Sequence, residues 1–253
     1  MKRLTQKERN LIKELSKRNW SINKICNKMH LKKSVVYYWF RKYVPKKNNK
    51  VKINYKLEEE IGEIIGAFAG DGNYYFDPRN YSYKIRFYLS PDEGKYAEKL
   101  SLKINKLFNK KPRIYKYSYI IIVEIISKDV ANFLKNYLSW KKSKTHTVQL
   151  IRPTSKYSIN FLKGFCRGLF DTDGWVTKNN LMISCVSDNL MEDLSYSLKS
   201  FSIQHKLTQW KRIDEPNPVK AITLDKQNTI KYFHLIGTSN SKRKMMPPQG
   251  VSG

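Results

Sequence analysis

Near the N-terminus the chain places apolar side chains at the spacing of three short α-helices. Thr5 and Glu8 form the pattern of a capping box at the start of the first helix. Ser21 is placed to cap the second helix, and Ser34 is placed to cap the third. The pattern therefore predicts a small all-α domain in this part of the chain.

After residue 56, one pattern of elements occurs twice at an offset of 102 residues. Each copy begins with an apolar helix, over residues 57–69 and 159–170, and continues with alternating segments, a second helix, two strands and a last helix. Two such copies in one chain imply a pseudo-twofold axis. We therefore predict an α+β fold of two αββαββα repeats, preceded by the all-α domain. The predicted domains are 1–46 for the all-α domain, 47–56 for a basic linker, 57–150 for repeat 1 and 151–253 for repeat 2.

The first helix of each copy carries small residues every fourth position. They are Gly62, Gly66 and Gly70 in copy one, and Gly164, Gly168 and Thr172 in copy two. Positions with this spacing lie on one face of a helix. Each interior glycine costs about 0.5–1 kcal/mol relative to alanine, and close contact between two helix backbones is a reason to accept that cost. The pattern predicts that the two helices pack along these stripes.

Two aspartates, Asp71 and Asp173, lie just past the predicted C-terminal ends of the two stripes. If the stripes pack together, the two carboxylates meet, and they repel one another unless divalent cations lie between them. Mg²⁺ suits such a site, because it prefers oxygen ligands and completes its shell with water and substrate phosphates. A single Gly-Asp-Gly segment would be an ordinary helix-ending turn. The same holds for a single Asp-Thr-Asp-Gly segment, but the presence of one of each, on the same stripe and at one repeat distance, favours a metal site.

The charge of the chain indicates which class of molecule it binds. Lys and Arg number 49 against 21 Asp and Glu, a net charge of +28, and residues 1–56 hold 18 of the bases with only two acids. Such a balance indicates a nucleic acid partner, through neutralisation of phosphates. A lysine-rich proteome is the alternative, but it does not explain the concentration at one end. The apolar runs are shorter than the ~18 residues of a membrane span, and the three cysteines form no paired motif.

The third N-terminal helix has the sequence VVYYWFRKY and keeps one apolar face. Basic and phenolic side chains on or beside its other faces are candidates for DNA contact: Lys33, Tyr37, Tyr38 and Lys42. The segment resembles a helix-turn-helix, in which the last helix enters the major groove. A basic three-helix bundle without base readout is the alternative.

The segments IIGAFAGDG (64–72) and CRGLFDTDG (166–174) resemble the two signature motifs of the LAGLIDADG homing endonucleases, in the single-chain form with two repeats. The resemblance covers about residues 57–244. It implies that the two motif helices form the interface between the halves of the molecule. The first motif departs from the family pattern at Ala69, where an acid is frequent, whereas the second motif has Asp171 there.

The resemblance also implies the parts of an active site. Asp71 and Asp173 would bind the metal, with the backbone carbonyls of Gly70 and Thr172 assisting, and Mg²⁺ is the implied cofactor, which Mn²⁺ can replace. A basic residue is implied near each centre, after the last helix of each repeat. The two candidate catalytic lysines are Lys141 and Lys242, with Lys142, Lys144 and Lys244 as competitors.

Each repeat of the family lays a four-stranded antiparallel sheet along the major groove. The strand and loop residues that we expect to contact DNA are Lys84, Arg86, Arg113 and Lys116 in repeat 1, and Lys178, Lys206, Gln209 and Lys211 in repeat 2. Such side chains suit base edges, and all of them can also bind phosphate. Alternation along a strand divides them between two faces, and the sequence does not decide which face each one takes.

The resemblance implies a metal-dependent endonuclease that cuts double-stranded DNA at a long target site, leaves short 3′ overhangs and serves the mobility of an intron or intein. A DNA-binding regulator that has lost cleavage and an RNA-splicing maturase are the rival functions. We expect a monomer that does not associate with membranes. We also expect an intracellular location, in the cytoplasm or with the nucleoid, an organelle being the alternative.

Overall fold

The computed structural model describes residues 4–44, 51–178, 180–211 and 218–243. The chain divides into two compact units, residues 1–50 and 51–253. Among the competing lysines, Lys244 lies outside the described residues, as do residues 47–50 of the predicted linker. Nowhere in the described ranges is a helix both long enough and apolar enough to cross a membrane.

The N-terminal unit contains three helices, α1 (Gln6–Lys17), α2 (Ile22–Met29) and α3 (Lys33–Tyr43). Thr5 and Glu8 form the capping box of α1, and Ser21 caps α2. The prediction for α3 was wrong, because Lys32 is its N-cap and Ser34 already lies inside the first turn. The apolar faces of the helices pack into one small core: Ile12, Leu15, Ile25, Val36 and Phe40 are buried.

The second unit contains seven further helices and ten strands in its described part. The helices are α4 (Glu58–Ala69), α5 (Gly94–Phe108), α6 (Lys128–Lys135), α7 (Lys144–Thr147), α8 (Ile159–Asp173), α9 (Asp188–Ser200) and α10 (Lys226–Leu235). The strands are β1 (Gly72–Asp77), β2 (Ser82–Leu89), β3 (Arg113–Tyr117), β4 (Ile120–Ile126), β5 (Leu138–Ser139), β6 (Gln149–Leu150), β7 (Gly174–Val176), β8 (Leu181–Cys185), β9 (Lys206–Trp210) and β10 (Val219–Leu224).

The order of these elements confirms the predicted α+β class and the repeated αββαββα pattern. Each repeat holds one antiparallel four-stranded sheet, with strand order β1-β2-β4-β3 in the first and β7-β8-β10-β9 in the second. Between the repeats, β5 and β6 form a two-stranded ribbon around the single-turn helix α7, which the sequence did not predict. The second motif helix is also longer than predicted, since α8 continues through Asp173.

One face of each sheet packs on helices and the other is open. In repeat 1, Ile85 and Phe87 of β2 are buried against the helices, and their strand neighbours Lys84 and Arg86 point to the open face. In repeat 2, the side chain of Ile222 on β10 faces the helices in the same way. The pleat therefore divides the polar strand residues into those on the open face and those on the face that packs on the helices.

The interface between the repeats is the pair of helices α4 and α8. Four of the five stripe glycines lie directly against the opposite backbone. A Cβ atom added there would overlap a carbonyl oxygen, at a distance of 2.0 Å for Gly62, 2.3 Å for Gly66, 1.9 Å for Gly164 and 2.0 Å for Gly168. The nearest oxygens belong to the other helix, those of Phe161, Phe165, Glu59 and Glu63 respectively. Only glycine permits this approach, and it fixes the two helix ends beside one another.

Candidate active site

The C-terminal ends of α4 and α8 meet at one point. A Cβ atom on Gly70 would lie 2.2 Å from Thr172 Oγ1 and 2.7 Å from Asp173 Oδ2, so the tip of one motif touches the tip of the other. The two tips differ slightly, because α4 ends at Ala69 and leaves Asp71 outside the helix, whereas Asp173 is the last residue of α8. Both carboxylates nevertheless reach the same region.

The electrostatics of the two aspartates show how closely they are placed. Burial, followed by repulsion from Asp71, raises the pKa of Asp173 to about 7. Burial raises the pKa of Asp71 to about 6, and the nearby carboxylate of Glu93 adds to this rise. Lys144 and Arg243 act in the opposite direction on both groups. The two carboxylates thus form a buried acidic centre of the kind that a cation would stabilise.

Lys144 is the lysine that reaches the first tip. Its Nζ donates hydrogen bonds to the carbonyl oxygens of Phe68 at 2.8 Å, Ala69 at 2.7 Å and Gly70 at 2.8 Å. A cation there satisfies the unpaired carbonyls at the end of α4 and interacts with the helix dipole. Burial lowers the pKa of Lys144 to about 8, while Asp173 and Asp71 raise it.

The preferred candidate Lys141 has a different place. Lys141 is exposed, and its backbone N–H donates to Thr147 Oγ1 at 2.9 Å, which closes the loop around α7. Because α7 begins only at Lys144, its single turn directs that side chain, rather than the side chain of Lys141, toward α4. The competitor Lys142 is likewise exposed. The geometry favours Lys144 for the basic role in repeat 1.

Arg243 occupies the corresponding place in repeat 2. Its Nη2 donates to the carbonyl oxygen of Thr172 at 2.9 Å, and it lies 4.0 Å from the carboxylate of Glu93. The preferred candidate Lys242 instead pairs with Asp92 at 2.8 Å on an exposed surface. The short 3₁₀ turn Ser241–Arg243 explains why Arg243 rather than Lys242 reaches the site, because it points neighbouring side chains in different directions.

Sequence reasoning missed Glu93 and Arg243 as parts of the site. Glu93 closes a capping box with Ser90, whose N–H donates to Glu93 Oε2 at 2.8 Å. The spacing Ser-x-x-Glu carries that signal in the sequence, but it predicts only a helix start. The closeness of Glu93 to Asp71 depends on tertiary packing, in which the turn that holds Glu93 contacts β4 and the 3₁₀ turn Ser241–Arg243.

Replacing Lys144 by methionine should slow DNA cleavage by about 10²-fold, because the cation beside both carboxylates is lost. Lys141→Met is the matched control, since it removes an exposed lysine from the same loop. Cleavage rates on one duplex substrate would be compared at saturating metal. Equal losses in the two variants would contradict the assignment of Lys144.

The donor atoms at the two tips suit a hard divalent cation. Among the described residues, no three His, Cys, Asp or Glu side chains are grouped to hold a metal ion. Besides the two carboxylates, the carbonyl oxygens of Gly70 and Thr172 each keep a second lone pair, since each already accepts one hydrogen bond, from Lys144 and Arg243 respectively. Mg²⁺ is commonly bound by one or two carboxylates together with water and substrate phosphates. Burial, the largest cause, raises the pKa values of Asp71 and Asp173, so a bound cation would favour the charged form of both carboxylates. The residues therefore fit the implied metal.

In repeat 1, the open face of the sheet carries three of the four predicted DNA contacts. In the strand register, Arg86 on β2 and Arg113 on β3 each lie opposite Glu124 on β4. Arg86 also forms an ion pair with Glu124, in which its Nε lies 2.6 Å from the carboxylate. Lys84 shares this face. Lys116 pairs with the core residue Ile121 and so lies on the opposite face, where the edge position of β3 leaves it exposed.

In repeat 2, the predicted contacts divide differently. Lys206 lies on the open face, paired with Thr223. Gln209 pairs with Lys220, whose Nζ contacts Asp188 of α9 at 2.9 Å, so Gln209 lies on the helix side. The remaining two, Lys178 and Lys211, are exposed in connections beside the strands. In the N-terminal unit, the four candidates Lys33, Tyr37, Tyr38 and Lys42 are all exposed on α3.

Comparisons with known proteins show what this chain is similar to in sequence and in fold. Residues 160–237 match the family model described as a LAGLIDADG-like domain. A structure of variants of the homing endonuclease I-DmoI superposes with a TM-score of 0.56 at 16% identity and covers 72% of this chain and 96% of that chain. The structure of I-DmoI in complex with DNA and Mn gives 0.56 at 17% identity, with 73% and 99% covered.

Two proteins of Methanocaldococcus jannaschii are similar in sequence. The Replication factor C small subunit is 29% identical over 186 residues, which are 72% of this chain but only 9% of that protein. An uncharacterized protein is 26% identical over 206 residues, 77% of this chain and 70% of its own. The chain thus spans a small part of the first relative and most of the second.

The chain contains a LAGLIDADG-like domain and has the LAGLIDADG fold with both repeats in a single polypeptide. The resemblance expected from the two motifs is confirmed at this level. The helix-turn-helix identity of the three N-terminal helices stays a prediction.

Proposed function

We propose that the chain is a metal-dependent endonuclease that cuts double-stranded DNA at a specific site. The observation that carries this proposal is the meeting of Asp71 and Asp173 at the tips of α4 and α8. A positively charged side chain lies beside each tip, Lys144 at the first and Arg243 at the second. The solved structures of I-DmoI with its target DNA, one with Mn and one with Mg, support the same reading for a protein of this fold.

The chain's own residues divide the work of phosphodiester hydrolysis. Asp71 and Asp173, with the carbonyls of Gly70 and Thr172, would hold Mg²⁺ or Mn²⁺, which supplies Lewis-acid stabilisation of charge on the scissile phosphate. Lys144 and Arg243 stand beside the carboxylates and can donate to phosphate oxygens as negative charge develops. The packed glycine stripes hold both tips in place, so these groups need no reorganisation when the transition state forms.

The surrounding surfaces fit a duplex. The open face of repeat 1 presents Lys84, Arg86 and Arg113, and the net charge of +28 favours binding to phosphates. The exposed basic helix α3 of the N-terminal unit would extend the contact along the DNA. We propose that the target is long for this reason.

The test is cleavage of a randomised duplex library in the presence of Mg²⁺, followed by sequencing of the cut ends. We expect one recurrent sequence at the cuts, short 3′ overhangs, and no cutting by Asp71→Asn or Asp173→Asn. Specific binding without any cut would overturn the proposal and favour a DNA-binding regulator. Preference for a structured RNA over every duplex would favour a maturase.

Arg113 and Lys116 offer a matched test of the DNA-binding face, because they lie on opposite faces of one strand. Arg113→Ala should weaken binding to the selected duplex and reduce the slope of log K against log salt by about 1, as the loss of one phosphate contact does. Lys116→Ala should leave both unchanged. Binding titrations at several salt concentrations measure the slopes, and a larger effect at Lys116 would show that the sheet presents its other face.

A further inference from the structure

The loop that follows α10 is fixed by one buried carboxylate. Asp171 on α8 is fully buried, and its two side-chain oxygens accept hydrogen bonds from Ser239 N at 3.0 Å, Asn240 N at 3.3 Å and the Thr238 hydroxyl. Three donors on successive residues of one loop therefore converge on one side chain. The corresponding position in the first motif is Ala69, so only repeat 2 has this anchor.

Asn240 carries the anchor across to the other repeat. It is 1% exposed, and its Nδ2 donates both to the carbonyl oxygen of Asp171 at 3.0 Å and to Glu93 Oε1 at 2.7 Å. Its Oδ1 accepts from the backbone N–H of Lys242 at 3.1 Å. The loop is thus held between the tip of α8 and the turn of repeat 1 that lies near Asp71.

Arg243 stands at the end of this loop. Its backbone N–H donates to the carbonyl of Asn240 at 3.0 Å, and its guanidinium reaches the carbonyl of Thr172. The Nε of Arg243 is buried without a hydrogen-bond partner among the described residues, whereas the side chain as a whole is 21% exposed, so a phosphate oxygen can approach the guanidinium from its exposed side. The position of this guanidinium depends on the loop, and the loop depends on Asp171.

The basic group of the other centre is independent of this loop. Lys144 is carried by α7, whose neighbouring turn is closed by Thr147 through bonds to the carbonyl of Ser143 and the backbone N–H of Lys141. Loss of the Asp171 anchor would therefore displace Arg243 and leave Lys144 in place.

We propose that Asp171 is a positioning residue for one of the two active centres: it fixes Arg243 beside Thr172 and Asp173, so that one DNA strand depends on it and the other does not. This inference rests on the proposed endonuclease function. It assigns to Asp171 no contact with DNA or metal.

The experiment measures the cleavage of each strand separately. The duplex recovered from the library selection, labelled differently on its two strands, is cut by wild type, Asp171→Asn, Arg243→Ala and Lys144→Ala. We expect Asp171→Asn to slow one strand at least about tenfold, since small displacements of a catalytic group have effects of this size or larger, and to change the other strand less than twofold. The slowed strand must be the one slowed by Arg243→Ala, and Lys144→Ala must slow the opposite strand more.

Asp193 provides a matched control outside the site. Its carboxylate also holds a loop, accepting from Leu150 N at 2.8 Å and from the Thr154 hydroxyl at 2.8 Å. Asp193→Asn should change thermal stability and leave the ratio of the two strand rates as in wild type. A changed ratio of strand rates in this control would show that any loss of stability alters the ratio, and would therefore contradict a specific role for Asp171.

A second variant and a second measurement guard against misfolding of Asp171→Asn. Thr238→Val removes one donor to the carboxylate with little change in shape and should shift the strand ratio in the same direction. Hydrogen exchange should show reduced protection of the amides of Ser239 and Asn240 in both variants. Equal slowing of both strands, or unchanged protection with an unchanged ratio, would overturn the inference. Failure of wild type to cut either strand would instead reject the proposed function.

Discussion

Replacing Asp71 or Asp173 by asparagine is expected to remove cleavage and, at the same time, to stabilise the protein in the absence of metal. The loss of rate should be about 10³-fold or more, which corresponds to about 4 kcal/mol of transition-state stabilisation. Binding to the target duplex should stay within a few-fold of wild type, because the strand surfaces are untouched. The two effects have one cause, namely two buried carboxylates held side by side.

The gain in stability follows from the direction of the pKa shifts. The folded pKa values, about 6 for Asp71 and about 7 for Asp173, are above the ordinary value of 3.8, so the folded protein prefers the neutral acids. Ionisation then costs stability as the pH rises through this window, and below about pH 4 the cost is absent. Asparagine carries no charge at any pH, and its benefit should be visible at pH 8 and should disappear near pH 4.

The measurement is thermal unfolding in EDTA at both pH values. Each kcal/mol raises the melting temperature by about 2–4 °C in a domain of this size. Asp188→Asn is the control, because Asp188 is exposed and pairs with Lys220 away from the site. A lower melting temperature in the two site variants at pH 8, or undiminished cleavage, would show that the acids do not form one centre.

The fold was readable in the sequence because its main features are local. The two glycine stripes and the helical spacings each act over a few residues, and the return of the same local pattern 102 residues later indicates two copies of one arrangement. The start of α3 was misplaced because Ser34 fits a cap, yet the helix already begins at Lys33, after a cap that makes no side-chain bond. The end of α8 was misplaced for a similar reason, since Asp171 is an ordinary turn former.

The site was only partly readable, since its basic groups come from distant turns. The sequence placed a lysine after each last helix, but the choice between Lys141 and Lys144 depends on the start of a four-residue helix. The contribution of Arg243 depends on a loop that returns to Asp171, some seventy residues earlier in the chain. Alternation likewise shows that Arg113 and Lys116 lie on opposite faces of the strand, but it does not show which face is open. The pairing of β3 with β4 decides this.

The packing of the stripes predicts a large difference between two substitutions of the same kind. Gly168→Ala should destabilise the second unit by about 3 kcal/mol or more, because the new Cβ would lie 2.0 Å from the carbonyl oxygen of Glu63 and 2.7 Å from the backbone nitrogen of Ala67. Neither contact can be relieved by a side-chain rotation, so α4 and α8 must move apart. Asp71 and Asp173 would separate with them, and cleavage should fall even under conditions in which the variant is folded.

Gly94→Ala is the matched control, because Gly94 is also helical and its new Cβ would meet only Ile121 Cδ1, at 3.9 Å. Alanine is the better helix former, so this variant should be neutral or more stable by about 0.4–1 kcal/mol. Urea unfolding of both variants measures the difference, with cleavage assayed at a temperature at which each is folded. If Gly168→Ala behaved like Gly94→Ala, the backbones of α4 and α8 would not be in contact, and the glycine stripes would not be what holds the two acids together.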